Sequence, residues 1–333
     1  MQLNGSIIDI PGIKVGHAQD LEALTGCTVI LCEEGATAGV SQYGGAPGTR
    51  ETDLLRPMHI VEKVHGVLLS GGSAFGLDAA TGVMRYLEKK RIGVDVGVAK
   101  VPIVSGAILY DLDIGRADIR PDAEMGYQAC MYATNKALQQ GNVGAGTGAR
   151  VGSILGANQA MKSGIGTCSI DMGEGVIIAA LMAVNAFGDV VDPNTNRIIA
   201  GARAISQDPL GISEAGYFVD TLVLMKSPLG KTIFEQKSQA NTIIGVVATN
   251  AVLNKEQANK IAQLSQDGIA RTIRPAHTML DGDTIFALST GDKKLDFNIV
   301  GAFAAEVVES AILNAVRAAN PAGGLPCASG DSS

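Results

Sequence analysis

Two hydrophobic periods alternate along the chain. Residues 66–70 and 176–185 are short, almost wholly apolar runs that read as buried strands, and 7–15, 27–32, 101–112, 221–225 and 284–288 carry a similar signature. Between them, Leu77, Ala80, Val83, Met84 and Leu87 fall near helical spacing, which predicts a helix over 77–90. Pro121, with Asp122 and Glu124 in the first turn, opens a second predicted helix reaching about Gln140. A third is predicted over 255–266 and a long amphipathic one over 297–319. Phe187-Gly188 marks a turn, so 176–185 and 189–192 read as a hairpin. Residues 141–156 are a glycine-rich loop, and 197–216 show no clear period. Residues 227–240 are polar, hold Pro228 and Gly230, and read as an exposed connection. That connection ends abruptly in a β-type run, Thr-Ile-Ile-Gly-Val-Val-Ala-Thr, over 242–249. Residues 321–333 form a Gly/Pro/Ser tail expected to be mobile. Helices often fall between strands, and both faces of the sheets need cover. The pattern predicts one domain over 1–333 with layered α/β architecture, two sheets with helices outside.

Composition narrows the class. Apolar residues make up 46% and charged residues 18%, ample for a core and unlike a disordered chain. With no Trp and only 4% aromatics, Ala, Val, Ile and Leu must fill that core. The net charge is −7 and there is no Lys/Arg block, so the electrostatic footprint of a nucleic-acid binder is missing. The first residues lack the pattern of a signal peptide, and no apolar stretch approaches the length needed to cross a bilayer. A cytoplasmic location without membrane partners is therefore expected. Cys27, Cys32, Cys130, Cys168 and Cys327 are odd in number with no CxxC, as for buried reduced thiols, and four histidines show no paired-ligand spacing for zinc.

Four stretches could carry chemistry. Asn241-Thr242 joins a loop to a strand whose first residue bears a hydroxyl. If the bond before Thr242 breaks, its new α-amine, with a reference pKa of about 7.7–8.0, can serve as base for its own hydroxyl. The bland alternative is an ordinary loop-to-strand junction. Asp281-Gly282-Asp283-Thr284, after His277-Thr278, places two carboxylates just before a strand, able to orient an amine or relay protons, or simply to cap a β-turn. Ser70-Gly71-Gly72-Ser73-Ala74-Phe75-Gly76, between strand and helix, can present the N–H groups of Gly71, Gly72 and Ser73 to a substrate oxyanion, or be a plain tight turn; it is neither a P-loop nor a GxGxxG motif. Asn185, ending an apolar strand, is a turn residue or an oxyanion donor.

Taken in order and spacing, these segments resemble the DmpA-type aminopeptidases and the related nylon-oligomer hydrolases over nearly the whole chain. The matching residues are Gly12–His17, Thr25–Ile30, Ser70–Asp78, Ala107–Asp111, Gly144–Ala149, Val184–Asp189, Asn241–Asn250 and His277–Thr284. The resemblance implies a four-layer αββα sandwich, similar to N-terminal-nucleophile hydrolases but with the connectivity of DmpA and ornithine acetyltransferase. It implies a precursor that splits into an α chain ending at Asn241 and a β chain over 242–333. It also implies homo-oligomers, tetrameric or higher, and no metal or organic cofactor. Position by position, Thr242 is the implied nucleophile. Asn185 and Tyr110 fall where the family positions substrate and stabilises the oxyanion. Asp281 and Asp283 fall where the nylon hydrolases carry acids beside the nucleophile's amine, whereas DmpA-type peptidases have a Ser and a Glu there. The compact N-terminus and Gly164-Ile165-Gly166-Thr167, preceded by Met161-Lys162, look more like the aminopeptidase branch. Many members carry a Lys where this chain has Ser153; either Lys162 substitutes or that role is dispensable here.

The expected function is thus a self-cleaving amidase or aminopeptidase. Short peptides, amino-acid amides, β-aminoacyl groups and 6-aminohexanoate oligomers are all within its substrate class. Its rivals are an acyltransferase of the ornithine acetyltransferase type and an uncleaved protein binding a small anion in its glycine-rich loops.

Overall fold

A computed structural model describes residues 3, 5–204, 213–214, 217–236 and 241–328. The principal strands are β1 (Lys14–Asp20), β2 (Thr25–Gln42), β3 (Val64–Ser70), β4 (Val104–Ile108), β5 (Ile165–Asp171), β6 (Ile177–Asn185), β7 (Thr242–Ala251) and β8 (Thr284–Lys293). The helices are α1 (Ala79–Lys89), α2 (Ala123–Met131), α3 (Thr221–Lys226), α4 (Pro228–Gln236), α5 (Lys255–Thr272) and α6 (Phe297–Arg317). Among the described residues, nine strands are joined in the order β5-β6-β7-β8-β2-β3-β4 and then Thr49–Arg50, with β1 antiparallel to β2. Pairing is antiparallel except for β7 with β8 and β3 with β4.

The long strand β2 turns this path into two layers. Its first half pairs with β3, from Cys27↔Ser70 to Leu31↔Gly66, and its second half pairs with β8, from Thr37↔Ser289 to Gln42↔Thr284. Between the halves the register shifts around Gly35, whose φ of +82° suits a residue without Cβ. Side chains alternate faces along a strand, so each sheet buries both. Ala179, Leu181 and Ala183 of β6, Ile244, Val246 and Ala248 of β7, and Val67 and Leu69 of β3 meet between the sheets. Ile178, Ala180, Met182, Ile243 and Val247 face outward onto α5 and α6, while Leu68, Val29 and Leu31 face α1 and α2. These three apolar spaces separate the four layers of an αββα sandwich. Helices α1 and α2 approach through Gly82 and Gly126, where a Cβ would overlap the carbonyls of Ala123 and Ala79.

Several elements differ from their sequence expectations. Residues 7–15 were expected as a strand, but Ile7–Asp9 is a 3-10 turn because the Ser6 amide bonds the Asp9 carboxylate at 2.8 Å and Ile7 donates to Thr167 Oγ1. The predicted hairpin of 176–185 with 189–192 does not form. β6 pairs with β5 and β7, while Asp189–Asp192 joins Arg197–Ala200 and Ile273–Arg274 in a separate small sheet. Helix α2 stops at Met131 because Thr134 is taken up in a bridge to Val15. The strand expected at 221–225 is α3, capped by Asp220, whose side chain accepts from Val223 N. The connection expected at 227–240 is helical over Pro228–Gln236, with proline at the first helical position, where its missing N–H costs nothing; residues 237–240 lie outside the described ones. Leu224 anchors this region against Ile154, Phe187 and Ala202. The tail is packed as far as Ala328: Leu325 and Cys327 are buried and Lys162 N bonds Pro326 O at 2.7 Å. By length and composition α6 could cross a bilayer, contrary to the sequence reading, but its apolar side is a core face against β5, β6 and α5.

Candidate active site

Thr242 is the first residue of β7, and its neighbours follow from register. The antiparallel ladder with β6 sets Asn185 opposite Thr242. On the other side, Ile244 pairs with Thr284, and the same offset continues to an Asn241–Asp281 bridge, which places Gly282 beside Thr242. Thr242 has the parity of Ile244 and Val246, and Asn185 that of Ala183 and Leu181, so both face the slot between the sheets, at its edge. Thr242 is 2% exposed and Asn185 1%. The row beside the threonine is kept small. A Cβ on Gly282 would stand 2.9 Å from Thr242 Oγ1 and 2.6 Å from Ala46 O, and one on Gly44 would overlap the Asp281 carbonyl.

Asn185 is held from both ends. Its Oδ1 accepts from Arg150 N at 3.1 Å and its Nδ2 donates to Tyr110 O at 2.9 Å. The peptide that supplies the Arg150 N–H has its carbonyl, Ala149 O, bound by Lys162 Nζ at 2.6 Å. Lys162 also donates to Ser163 O at 2.8 Å and Gly146 O at 3.2 Å. Burial pulls its amine down to about 7, whereas three carbonyl acceptors match the three hydrogens of an ammonium and hold the charged form against that pull. Lys162 thus stands one peptide group away from Asn185, with its ammonium committed to the backbone. Arg150, 2% exposed, pairs through Nη2 with Asp113 at 2.6 Å, while its Nε and Nη1 have no partner among the described residues. Burial pushes the Tyr110 phenol up, which keeps it a neutral donor.

The acidic loop closes the other side. Asp283 Oδ1 accepts from Ile243 N at 2.9 Å, and its Oδ2 accepts from His277 N at 3.1 Å and faces His277 Nδ1 at 2.8 Å. Its carboxylate thereby ties the residue after Thr242 to the turn at His277, whose φ is +58°. Asp281 Oδ2 accepts from Thr278 N at 2.8 Å and Thr278 Oγ1 at 2.6 Å. Burial, and then the charge of Asp283, hold the Asp281 carboxyl well above the usual carboxylate range. The Asp281 backbone is bridged to Asn241, while its carboxyl turns to Thr278.

Register and hydrogen bonds thus bring Thr242, Asn185, the Tyr110 backbone, Asp281 and Asp283 together around Asn241. They do not bring the glycine loop in as an oxyanion hole. Gly71 N donates to Gly26 O, Gly72 N to Asp111 Oδ1 at 2.7 Å and Ser73 N to Leu109 O, so all three amides expected to face a substrate are already used. Asp111, which also accepts from Thr25 Oγ1 at 2.8 Å, makes this loop a structural anchor. Ser153 lies buried in a 3-10 turn whose amide bonds Phe187 O, just past Asn185. Sequence reasoning missed Arg150, Gly282 and the link from His277 to Asp283. A signal existed only for Gly282, as the glycine between two candidate carboxylates.

An αββα sandwich with a hydroxyl residue opening a central strand, at the edge of the slot between its sheets, has the architecture of the N-terminal-nucleophile hydrolases. The family model for Peptidase family S58 matches residues 5–327. An uncharacterized aminopeptidase of Mycobacterium tuberculosis is 41% identical over 348 residues, covering 96% of each chain. A 6-aminohexanoate-oligomer endohydrolase of Paenarthrobacter ureafaciens is 28% identical over 320 residues, covering 92% of this chain and 84% of that one. Among solved structures, the L-aminopeptidase D-Ala-esterase/amidase of Ochrobactrum anthropi, described as a new variant among the Ntn hydrolase fold, superposes with a TM-score of 0.69 at 20% identity, over 96% of this chain and 88% of that one. A β-aminopeptidase of Burkholderia sp. does so with a TM-score of 0.66 at 21% identity, over 97% and 90%. The chain belongs to peptidase family S58, and it is a hydrolase of amide bonds.

Proposed function

We propose that the chain cuts itself between Asn241 and Thr242 and that Thr242, as the new N-terminus, hydrolyses small peptides and amino-acid amides. The observation that carries this reading is the placement of Thr242 at the head of β7, on the inter-sheet face, directly across from Asn185. In the intact chain this hydroxyl is buried, so substrate has no route to it until the segment before it is released. In turnover, Thr242 Oγ1 attacks the substrate carbonyl and its own α-amine takes the proton. Asn185, with one N–H spent on Tyr110 O, offers the second to the oxyanion, and Tyr110 supports it by holding Asn185 through that backbone carbonyl. The ester on Thr242 is then released by water. Asp281, which holds a proton more readily than an ordinary carboxyl, and Asp283 position the new amine. Relatives named aminopeptidase are nearer in sequence, at 41%, than those named for 6-aminohexanoate oligomers, at 28%, which favours aminoacyl substrates over ω-amino-acid oligomers.

Denaturing intact mass with N-terminal sequencing tests the first step. The expected result is two fragments, the smaller beginning Thr-Ile-Ile-Gly, with a single uncut chain for Thr242→Ala. Assays with aminoacyl p-nitroanilides and the 6-aminohexanoate dimer test the second, and Thr242→Ala is expected to be inactive on both. Normal turnover by that variant would refute the nucleophile assignment.

A further inference from the structure

Self-cleavage requires a donor for the negative charge that develops on the scissile carbonyl. Thr242 Oγ1 bonds to the carbonyl carbon of Asn241 and the carbonyl oxygen becomes an oxyanion. As the C–N bond breaks, the hydroxyl proton ends on the departing nitrogen, leaving an ester on Thr242 Oγ1 and a free amine. Water then cleaves the ester to an Asn241 carboxylate and the Thr242 hydroxyl. The structure shows what already touches that oxygen. Gly282 N donates to Asn241 O at 2.9 Å, while Asn241 N donates to Leu280 O at 2.8 Å, so the scissile residue is held on both sides of its Cα. Asn241 is 1% exposed, which excludes bulk water as the main stabiliser of the charge.

We infer that the backbone N–H of Gly282 is the oxyanion donor for cleavage of the Asn241–Thr242 bond, and that residue 282 is glycine because the attacking hydroxyl occupies the space a side chain would take. This rests on the self-cleavage reading above. A ladder bond of this kind would by itself be ordinary, but two features set it apart. The donor lies on the reacting carbonyl, where an N–H···O bond strengthens as the oxygen becomes charged. The same residue also abuts the nucleophile, since its Cβ would stand 2.9 Å from Thr242 Oγ1. The Ala46 carbonyl, 2.6 Å from that Cβ position, blocks the retreat of any side chain placed there.

The test replaces Gly282 by glycolic acid in a semisynthetic chain, which exchanges this N–H for an ester oxygen and adds no bulk. Cleavage is followed as the appearance of the Thr-Ile-Ile-Gly fragment, and folding by circular dichroism and thermal melting. Cleavage is expected to slow by about 10²–10³-fold in folded protein. Gly282→Ala provides a second route if the ester chain does not fold. It keeps the donor but crowds the hydroxyl, and is expected to slow cleavage at least about tenfold. Neutral hydroxylamine, which intercepts esters, is expected not to restore the rate of Gly282→Ala, because the block precedes the ester. A folded variant of either kind cleaving at the native rate, or rescue of Gly282→Ala by hydroxylamine, overturns the inference. A native chain that never cleaves instead overturns the self-cleavage reading on which it rests.

Discussion

Asn185 holds its place through two backbone contacts, Arg150 N and Tyr110 O, which come from segments far apart in the chain. A side chain so fixed can aim a remaining N–H without reorganising during the reaction, which is where an oxyanion donor gains its effect. Asn185→Ala is expected to lower kcat by about 10²–10³-fold, on the order of 2.7–4 kcal/mol, with little change in KM. Steady-state kinetics on fully processed enzyme check this, and a kcat within a few-fold of native would remove Asn185 from that role. The asparagine itself was legible in the sequence, as a polar residue closing an apolar run. Its partners were not, because hydrogen bonds spanning 35 and 75 positions leave no local signature.

At the scale of elements, the two-residue strands Arg150–Val151 and Met161–Lys162 do more than their length suggests. They pair Arg150 with Lys162 and so carry the lysine under the glycine-rich turn. Lys162→Met fills similar space but leaves three buried carbonyls without their donor. Each such loss costs about 1–3 kcal/mol, so a clear fall in the urea midpoint is expected. Because the Ala149–Arg150 peptide orients Asn185, kcat is expected to fall more than KM rises. Unchanged midpoint and kcat together would show that neither role is real. Elements with strong periodicity, α1, α5, α6, β3, β6 and β7, were readable because one face or both faces are buried in a regular order. Helices α3 and α4 were not: the apolar run at 221–225 is too short to show a helical period and reads as a strand despite the Asp220 cap, and the polar residues around Pro228 read as a connection, while burial here rests on a few contacts such as Leu224 against Phe187.

Across the whole molecule, burial sets the response to pH. Asp111 is pushed up to about 6 and Asp189 to about 7, in both cases mainly by desolvation and against the hydrogen bonds each accepts. The folded chain therefore binds more protons at these sites than the unfolded chain between the ordinary carboxyl range and about pH 7. The stability they contribute is fully present below the ordinary carboxyl range, falls as pH rises from there, and is lost once pH has passed about 6 for Asp111 and about 7 for Asp189. Melting of the uncleaved Thr242→Ala chain is expected to fall over that interval, and Asp189→Asn, which keeps an acceptor for only one of the Ala202 and Thr221 amides and so lowers the whole curve, is expected to flatten the slope. A slope unchanged by Asp189→Asn would mean that this group does not titrate with folding.

The one-dimensional pattern determined the class of fold and singled out the candidate residues. Runs buried on both faces must be central strands, amphipathic helices must cover them, and a hydroxyl residue opening such a strand is visible without coordinates. Tertiary structure alone decided what those residues touch. Register between β6, β7 and β8 set Asn185, Thr242 and Gly282 in one row, and the same packing turned the amides of Gly71, Gly72 and Ser73 inward onto Gly26, Asp111 and Leu109. The physical reason is that strand pairing and loop closure are settled by the burial of the whole sandwich, so which donors stay available for chemistry is a property of the assembled layers.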